Sequence, residues 1–527
     1  MTNSMHWSRW GDPDHAGPLP DAARDLIDAA FGIRESPGVA LEDVRLPKAG
    51  LGERHLDSLR ALLGHDQVLV DDESRIRHTR GRSTPDLLKM RSGDASDAPD
   101  AVLRPGDHDQ VAGIVEWCSD HGVALVPFGG GTSVVGGLAA KRDGYAGVVA
   151  VDLRRLNTLV DLDIESCTAE LGAGLLGPEA EALLAEHGLT LGHFPQSFEY
   201  ASIGGFAATR SSGQASSGYG RFDAAVVGLR VATPCGTLIL GSAPSNAAGP
   251  DLRELVLGSE GAFGVITSVT VRVRREPSVK VYEGWRFASF REGAAALREL
   301  AQSGSAPTVL RLSDESETAL NLARPSDVGG DNAGGCLMIT GYEGEPLQVD
   351  AIRMATGAVL DRVGGRALGE EPGRAWSKGR FHGPYLRDSL LDVGVLVETL
   401  ETATFWSNLS RLYDAVRGAL EGSLTEQGTA PIVLCHISHV YETGASLYFT
   451  VAAKQTGDGL DQWAQAKRAA SDAMIAAGAT ITHHHAVGRD HVPWFAQEIG
   501  PVGVQMLRAV KASVDPAGVL NPGVLIP

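Results

Sequence analysis

From Ala101 onward, short apolar runs alternate with helix-spaced segments. Ala101–Arg104 reads as a strand closed by Pro-Gly, and Asp109–His121 carries apolar residues at helical spacing. Val123–Pro127 is an unbroken apolar run that enters a glycine tract. Gly147–Asp152 predicts a further strand and Pro178–His187 a further helix. Val226–Thr233 and Thr237–Leu240 read as a hairpin across Pro234, Cys235 and Gly236, and Val265–Val273 as a strand that stops before Pro277. Strands interleaved with helices predict an α+β domain rather than an all-α or all-β one.

A second region, 279–455, opens with a strand and the helix Phe290–Gln302. It continues with predicted strands at Thr308–Leu312, Cys336–Tyr342, Pro431–His436 and Ser446–Ala452, separated by helices such as Val349–Val363 and Leu409–Leu420. The tail, 456–527, predicts a helix at Leu460–Ala477, a strand at Thr480–His485, another helix and a Pro/Gly-rich end. Residues 1–95 hold one helical stretch, Asp21–Phe31, in polar chain, and read as an extension with no chemistry of its own. The expected division is 1–95, 96–278, 279–455 and 456–527.

Composition narrows the function. The chain has 527 residues, 43% of them hydrophobic, and 65 glycines without a collagen-like period. Such a chain can bury a large core, so the glycines are expected to gather where backbone must approach something closely. The formal charge is −19, with no dense basic run, which excludes a free nucleic-acid binder. Five scattered cysteines, never in C-x-x-C spacing, read as reduced thiols rather than a disulfide frame or zinc site. No signal or transit peptide and no apolar stretch of the ~18–20 residues needed for a membrane span is evident, so a cytoplasmic protein is expected.

Three small-residue stretches stand out. Pro127, Phe128, Gly129, Gly130, Gly131, Thr132 and Ser133 follow a buried strand, and three glycines in a row let several N–H groups face one anion. The spacing matches neither the Rossmann fingerprint nor the P-loop. A second stretch runs from Gly192 to Gly213, and a third from Leu257 to Thr267 with Gly258, Gly261 and Gly264 around Glu260. Each alone is compatible with a plain turn; three in one α+β domain suit a long, jointed ligand such as a flavin dinucleotide.

These motifs together resemble the FAD-binding domain of the vanillyl-alcohol oxidase/p-cresol methylhydroxylase flavoproteins, and Val510–Gly523 resembles their FAD-linked oxidase C-terminal segment. The resemblance spans about 80–527 and implies a two-domain α+β flavoprotein: an FAD-binding domain at 96–278, an antiparallel-sheet substrate (cap) domain at 279–455 and a C-terminal segment at 456–527 that closes on the active site. The N-terminal helical extension stands outside it. Neither His nor Cys occurs within Pro127–Ser133, and His193 reads as a packing residue, so the FAD is expected to be non-covalent.

Within that superfamily, Thr482-His483-His484-His485-Ala486-Val487-Gly488, the strand around Tyr448 and Tyr385-Leu386-Arg387-Asp388 are similar to the alkyldihydroxyacetonephosphate synthases. The related 2-hydroxy-acid dehydrogenases usually carry Glu-His-Gly at the triple-His position. The resemblance puts the catalytic tyrosine on Tyr448, essential histidines on His483, His484 and His485, a required arginine on Arg311 and the substrate-phosphate arginine on Arg387. It puts FAD contacts on Pro127–Ser133, on Pro195, Gln196, Ser197, Phe198, Glu199, Tyr200 and Ala201, on Ala208, Thr209, Arg210 and Ser211, and on Glu260, Gly261, Ala262, Phe263, Gly264, Val265 and Ile266. The required C-terminal end corresponds to Asn521–Leu525. Ala486 departs from the family's glycine after the triplet, and the peroxisomal targeting extension is missing.

The reaction so implied exchanges the acyl chain of acyl-dihydroxyacetone phosphate for a long-chain fatty alcohol, giving a 1-O-alkyl ether with no net redox. A homodimer and peripheral membrane contact go with it. A phenol near pKa ~10 needs polar neighbours to move protons near neutrality, and imidazoles titrate in the useful range. The alternative enzyme reading is an FAD-dependent oxidase or dehydrogenase of a 2-hydroxy acid or alcohol; the non-enzyme alternative is a decayed flavin-binding scaffold. Two same-face histidines plus an acid would also bind zinc or iron, but no carboxylate stands at typical spacing and no metal is expected. His483 and His485 are expected on one face of a strand and His484 on the other. His436 and His439 stand before Tyr448 without an assigned role.

Overall fold

The computed structural model describes residues 5–15, 19, 21–321 and 334–527. A small sheet collects β1 (Val68–Leu69), β2 (Ala101–Leu103), β3 (Val123–Phe128) and β4 (Gly147–Asp152) in the order β1-β2-β4-β3, with β2 and β3 both parallel to β4. The crossover from β2 to β3 is the helix His108–His121, started by Asp107 accepting from Gln110 N–H and stopped by Gly122 at φ +62°. Its apolar face, Val111, Ile114, Val115 and Cys118, is fully buried.

Part of the 1–95 extension completes this core. The helix Glu53–Leu63 inserts Leu56, Leu59 and Leu63 into it, and β1 pairs with β2. This part of 1–95 is therefore structural: its apolar residues are spaced for a helix that has no core without the sheet.

A second, antiparallel sheet follows. Its strands β5 (Leu159–Asp163), β6 (Thr168–Gly172), β8 (Val226–Thr233), β9 (Gly236–Leu240) and β10 (Val265–Arg272) take the order β5-β6-β10-β8-β9, while β7 (Leu189–Thr190) pairs with β11 (Arg274–Arg275). The predicted hairpin is the pair β8–β9.

The third sheet has seven antiparallel strands: β12 (Val279–Phe287), β13 (Val309–Ser313), β14 (Cys336–Gly344), β15 (Arg366–Gly369), β16 (Val395–Phe405), β17 (Ile432–Ile437) and β18 (Gly444–Lys454), in the order β15-β12-β14-β13-β17-β18-β16. One face packs against the helices Phe290–Gln302, Leu409–Glu426 and Gly459–Ala476, burying Leu297, Leu412, Leu420, Trp463 and Met474 with Phe449 and Val451. Along β18, Tyr448 and Thr450 alternate with those core residues and point to the opposite face. Strand β16, which the hydrophobic pattern did not mark, pairs with β18 along its whole length. Among the described residues no helix is long and apolar enough to cross a membrane.

The expected strand Thr480–His485 does not form. Thr480 makes one isolated bridge to Ala403, and 481–485 are irregular. A buried carboxylate from β16 gathers the N–H groups of this segment, so they cannot alternate as a strand requires.

Candidate active site

Register across the third sheet builds the site. Ser313 pairs with His436, His436 with Tyr448, and Tyr448 with Glu401, a row running across β13, β17, β18 and β16. Directly opposed residues in antiparallel strands share a face, so His436, Tyr448 and Glu401 project together. The His436 and Tyr448 rings stack at 4.7 Å with 18° between planes. Tyr448 also stacks with His484 at 6.0 Å and meets His485 edge-on at 5.5 Å. Burial pushes the Tyr448 phenol up to about 12.

Arg311 reaches into this row from β13. Its Nη2 donates to Glu317 Oε1 at 2.8 Å and lies 3.0 Å from His436 Nδ1, while Glu317 sits 3.1 Å from the same nitrogen. Burial works against ionisation of Glu317, but His436 and Arg311 hold its carboxyl well below the usual range. Arg311 is thus committed to fixing His436, a residue the sequence left without a role.

Over the row lies the histidine loop. Glu401, fully buried, accepts from Thr482 Oγ1 at 2.5 Å and from the N–H groups of His483, His484 and His485 at 2.6, 3.2 and 2.9 Å. Three consecutive N–H groups on one anion form a backbone nest. The three rings do not alternate about a strand: His483 and His484 both contact His439, at 5.0 and 4.9 Å. Burial lowers His483 and His484 to about 4 and His485 to about 3, so all three are neutral at neutral pH. Against its own burial, the facing His484 and His485 hold Glu401 far below the usual carboxylate range.

Ligand atoms of His439, His483 and His484 lie within 4.8 Å of one another, and Glu401 supplies the nearby acid that the sequence did not show. Four of their six ring nitrogens have hydrogen-bond partners. His439 Nδ1 meets Ser212 Oγ and Ser216 Oγ at 3.0 and 2.8 Å, His483 Nε2 meets Tyr441 OH at 2.5 Å, and His483 Nδ1 meets His484 Nδ1 at 3.0 Å.

Arg387 stands on the helix Gly383–Asp392, its side chain 11% exposed. Its guanidinium donates to Asp388 Oδ1 at 3.1 and 3.2 Å and to Arg82 O at 2.6 Å, and its charge acts on Tyr448. The N-terminal segment straps this helix down: Trp10 N–H donates to Asp388 at 2.5 Å, Arg9 pairs with Asp392 at 2.7 Å, and Trp10 meets Tyr200 edge-on at 5.7 Å.

The small-residue loops converge beside the row. A Cβ at Gly130 would lie 1.6 Å from Tyr200 O, and one at Gly261 2.5 Å from Pro127. Glu260 N–H donates to Ala208 O at 2.9 Å, and its buried carboxylate accepts from Val487 and Gly488 N–H at 3.2 and 2.7 Å. Burial raises Glu260 to about 8. Asn521 Nδ2 joins Gly137 O and Glu260 O at 3.0 and 2.7 Å, so the C-terminal end ties the first and third loops together. Arg210 is engaged by Glu254 and by Leu257 O, and Phe263 packs with Val487 and Leu525. A cavity of 410 Å³ opens beside the histidine loop, with Arg221, Thr482 and His483 at a polar side and Leu255, Leu257, Phe263, Phe495 and Leu507 among its apolar walls.

The loops fit a dinucleotide. Among the described residues, no acceptor faces the N–H groups of Gly130, Gly131 or Thr132, and Ser259 Oγ is buried without a partner. Unspent donors on a glycine turn at φ +71° (Gly131) make a pyrophosphate cradle that side chains would fill. His193 is bonded to Ser211 Oγ at 3.0 Å and packed on Phe206 and Phe222, as a core residue.

Comparison with known proteins agrees with this geometry. Residues 99–241 match the FAD binding domain family and 276–525 the FAD linked oxidases, C-terminal domain. The chain is 33% identical to an alkyldihydroxyacetonephosphate synthase of Trypanosoma brucei brucei, over 99% of this chain and 92% of that one. It is 32% identical to one of Dictyostelium discoideum, over 95% and 85%. A solved alkyldihydroxyacetonephosphate synthase structure superposes with a TM-score of 0.85 at 29% identity, covering 98% of both chains. p-Cresol methylhydroxylase, at 18% identity and a TM-score of 0.67 over 89% of this chain and 96% of that one, shares the fold.

Proposed function

The chain belongs to the alkyldihydroxyacetonephosphate synthase family of FAD-linked enzymes, and on that footing we propose that it exchanges the acyl chain of acyl-dihydroxyacetone phosphate for a long-chain alcohol. The products are the 1-O-alkyl ether and a free fatty acid. The observation that carries this reading is the row His436–Tyr448–Glu401 roofed by His483–His485 and joined to the flavin loops through Ser212 and Ser216 on His439.

An ester-to-ether exchange differs from acyl transfer, because the acid must leave with the oxygen attached to the glycerol-side carbon. That demands movement of a proton at that carbon, a grip on the phosphate and exclusion of water. The glycine cradle at Gly129–Thr132 would hold FAD without a covalent bond, and FAD there would supply a centre able to take up and return electrons with no net redox. Tyr448 stays protonated near neutrality and donates a hydrogen bond to the carboxylate oxygen that departs with the acid. A neutral imidazole beside the phenol ring, His484 or His485, takes the proton that leaves the glycerol-side carbon and returns it to that carbon once the alcohol has replaced the acid. Arg387 meets the phosphate with the guanidinium edge that Asp388 and Arg82 orient.

The test is incubation of FAD-loaded protein with palmitoyl-dihydroxyacetone phosphate and labelled hexadecanol. Labelled ether should accumulate without consumption of an electron acceptor. Absence of ether together with rapid flavin bleaching by a 2-hydroxy acid would overturn the reading in favour of a dehydrogenase.

A further inference from the structure

Glu401 is seated under the histidine loop and opposite Tyr448, and neither position is visible from its sequence neighbours. It stands on β16, in register with Tyr448 on β18. From there it accepts four hydrogen bonds from four consecutive residues: the Thr482 hydroxyl and the N–H groups of His483, His484 and His485. Its oxygens also lie 3.5 Å from His484 Nδ1 and 3.9 Å from His485 Nδ1. We propose that Glu401 is the positioning residue of this active site: it folds the loop so that the imidazoles of His484 and His485 face Tyr448, and it is the counter-charge for the protonated histidine formed during turnover. The proposal takes the synthase reaction as given.

The physical argument has two parts. A peptide with three successive N–H groups turned onto one point is not an extended strand, so the loop needs an anion there to hold its shape. A buried imidazole refuses a proton because desolvation penalises the cation. The titratable groups facing Glu401 are His483, His484 and His485 from the loop, Tyr448 from β18, Tyr441 from the β17–β18 connection, and His491 beyond the loop. Burial opposes the charged form of His484 and His485 most, Arg221, Lys467 and the neighbouring imidazoles add to that, and Glu401 favours it. Removing the charge therefore makes the imidazoles poorer bases, even where the loop keeps its path.

Three full-length, FAD-loaded variants test this. Glu401→Gln keeps the shape and removes the charge, Glu401→Asp keeps the charge on a shorter arm, and Thr482→Val removes one of the four hydrogen bonds. For Glu401→Gln, kcat of ether formation is expected to fall about 10- to 100-fold, with KM changed less than about 3-fold and flavin absorbance retained. Glu401→Asp should recover part of kcat, and Thr482→Val should lose a few-fold, roughly in line with one lost hydrogen bond. Independently of turnover, ring 13C signals of His484 and His485 in 13C-histidine-labelled protein should show protonation at lower pH in Glu401→Gln than in the parent.

Two results overturn the proposal: kcat within about 2-fold of the parent, or ring signals that titrate unchanged in Glu401→Gln. If Glu401→Gln does not retain FAD, Glu401→Asp and Thr482→Val decide on the same readouts. A parent protein that forms no ether would remove the synthase reading, and the ring signals alone would then decide on Glu401.

Discussion

His436 lies flat against Tyr448, ring centroids 4.7 Å apart, while its Nδ1 faces both Arg311 and Glu317. An ion pair on one side of the sheet thereby fixes a ring, and the ring fixes the phenol two strands from Arg311. Tyr448→Phe retains the stack and removes only the hydroxyl. Ether formation is expected to fall by about 100-fold or more, with FAD content and Tm preserved. Steady-state kinetics beside flavin absorbance check this, and activity close to the parent's would remove Tyr448 from the chemistry.

The N-terminal strap holds Arg387 through Asp388. Deleting residues 1–11 takes away the Trp10 N–H on Asp388 and the Arg9–Asp392 pair. The expected outcome is a KM for the phosphorylated substrate raised roughly ten-fold, in the range of a lost charge-assisted hydrogen bond. An unchanged KM would show that the strap does not orient Arg387.

Stability should fall on mild acidification. Burial lowers His483 and His484 to about 4 and His193, His485 and His491 to about 3, below the ordinary imidazole value of 6.5. Between pH 6.5 and about 4 the unfolded chain binds protons that the folded one refuses, so this contribution is complete above 6.5 and lost as pH falls toward the folded values. Glu317 and Glu401, held low when folded, add their loss only below the ordinary carboxylate range. Urea midpoints measured at pH 7.5 and pH 5 should drop in that order; equal midpoints would contradict the buried, neutral assignment.

Gly130 cannot accept a side chain, because a Cβ there would sit 1.6 Å from Tyr200 O. In Gly130→Ala the first and second loops must part and the cradle for the pyrophosphate opens. FAD should be lost on desalting, with affinity weaker by at least about ten-fold. Retention of full flavin absorbance would argue against the cradle.

Ala486 adopts φ +73°, a left-handed conformation that glycine reaches without steric cost. Ala486→Gly relieves that strain at the expense of one buried methyl. The balance is expected to stabilise the protein by roughly 0.5–1 kcal/mol, read as a small rise in Tm by calorimetry. A lower Tm would mean that the methyl's packing outweighs the strain.

Local pattern was enough for much of this molecule. Glycine runs and strand periodicity sufficed to place the three small-residue loops, the helix Phe290–Gln302 and strand β4, because each depends on neighbours within a few residues. Burial of His193 also followed from its local setting. The site's shape was not legible. Glu401 lies 81 residues before Thr482 in sequence, Arg82 lies 305 before Arg387, and Ser212 lies 227 before His439. Such pairings are set by strand register and by which surfaces share a core, and no short-range periodicity encodes them. The triple-histidine segment shows the difference most sharply. By itself it reads as a strand with alternating faces; a single carboxylate from β16 turns its N–H groups onto one point and brings the imidazoles of His484 and His485 to Tyr448. The sequence by itself determined which chemical groups are present and where the small-residue loops lie. The tertiary structure decided which groups meet, because a buried charge binds whatever donors the folded sheet brings to it.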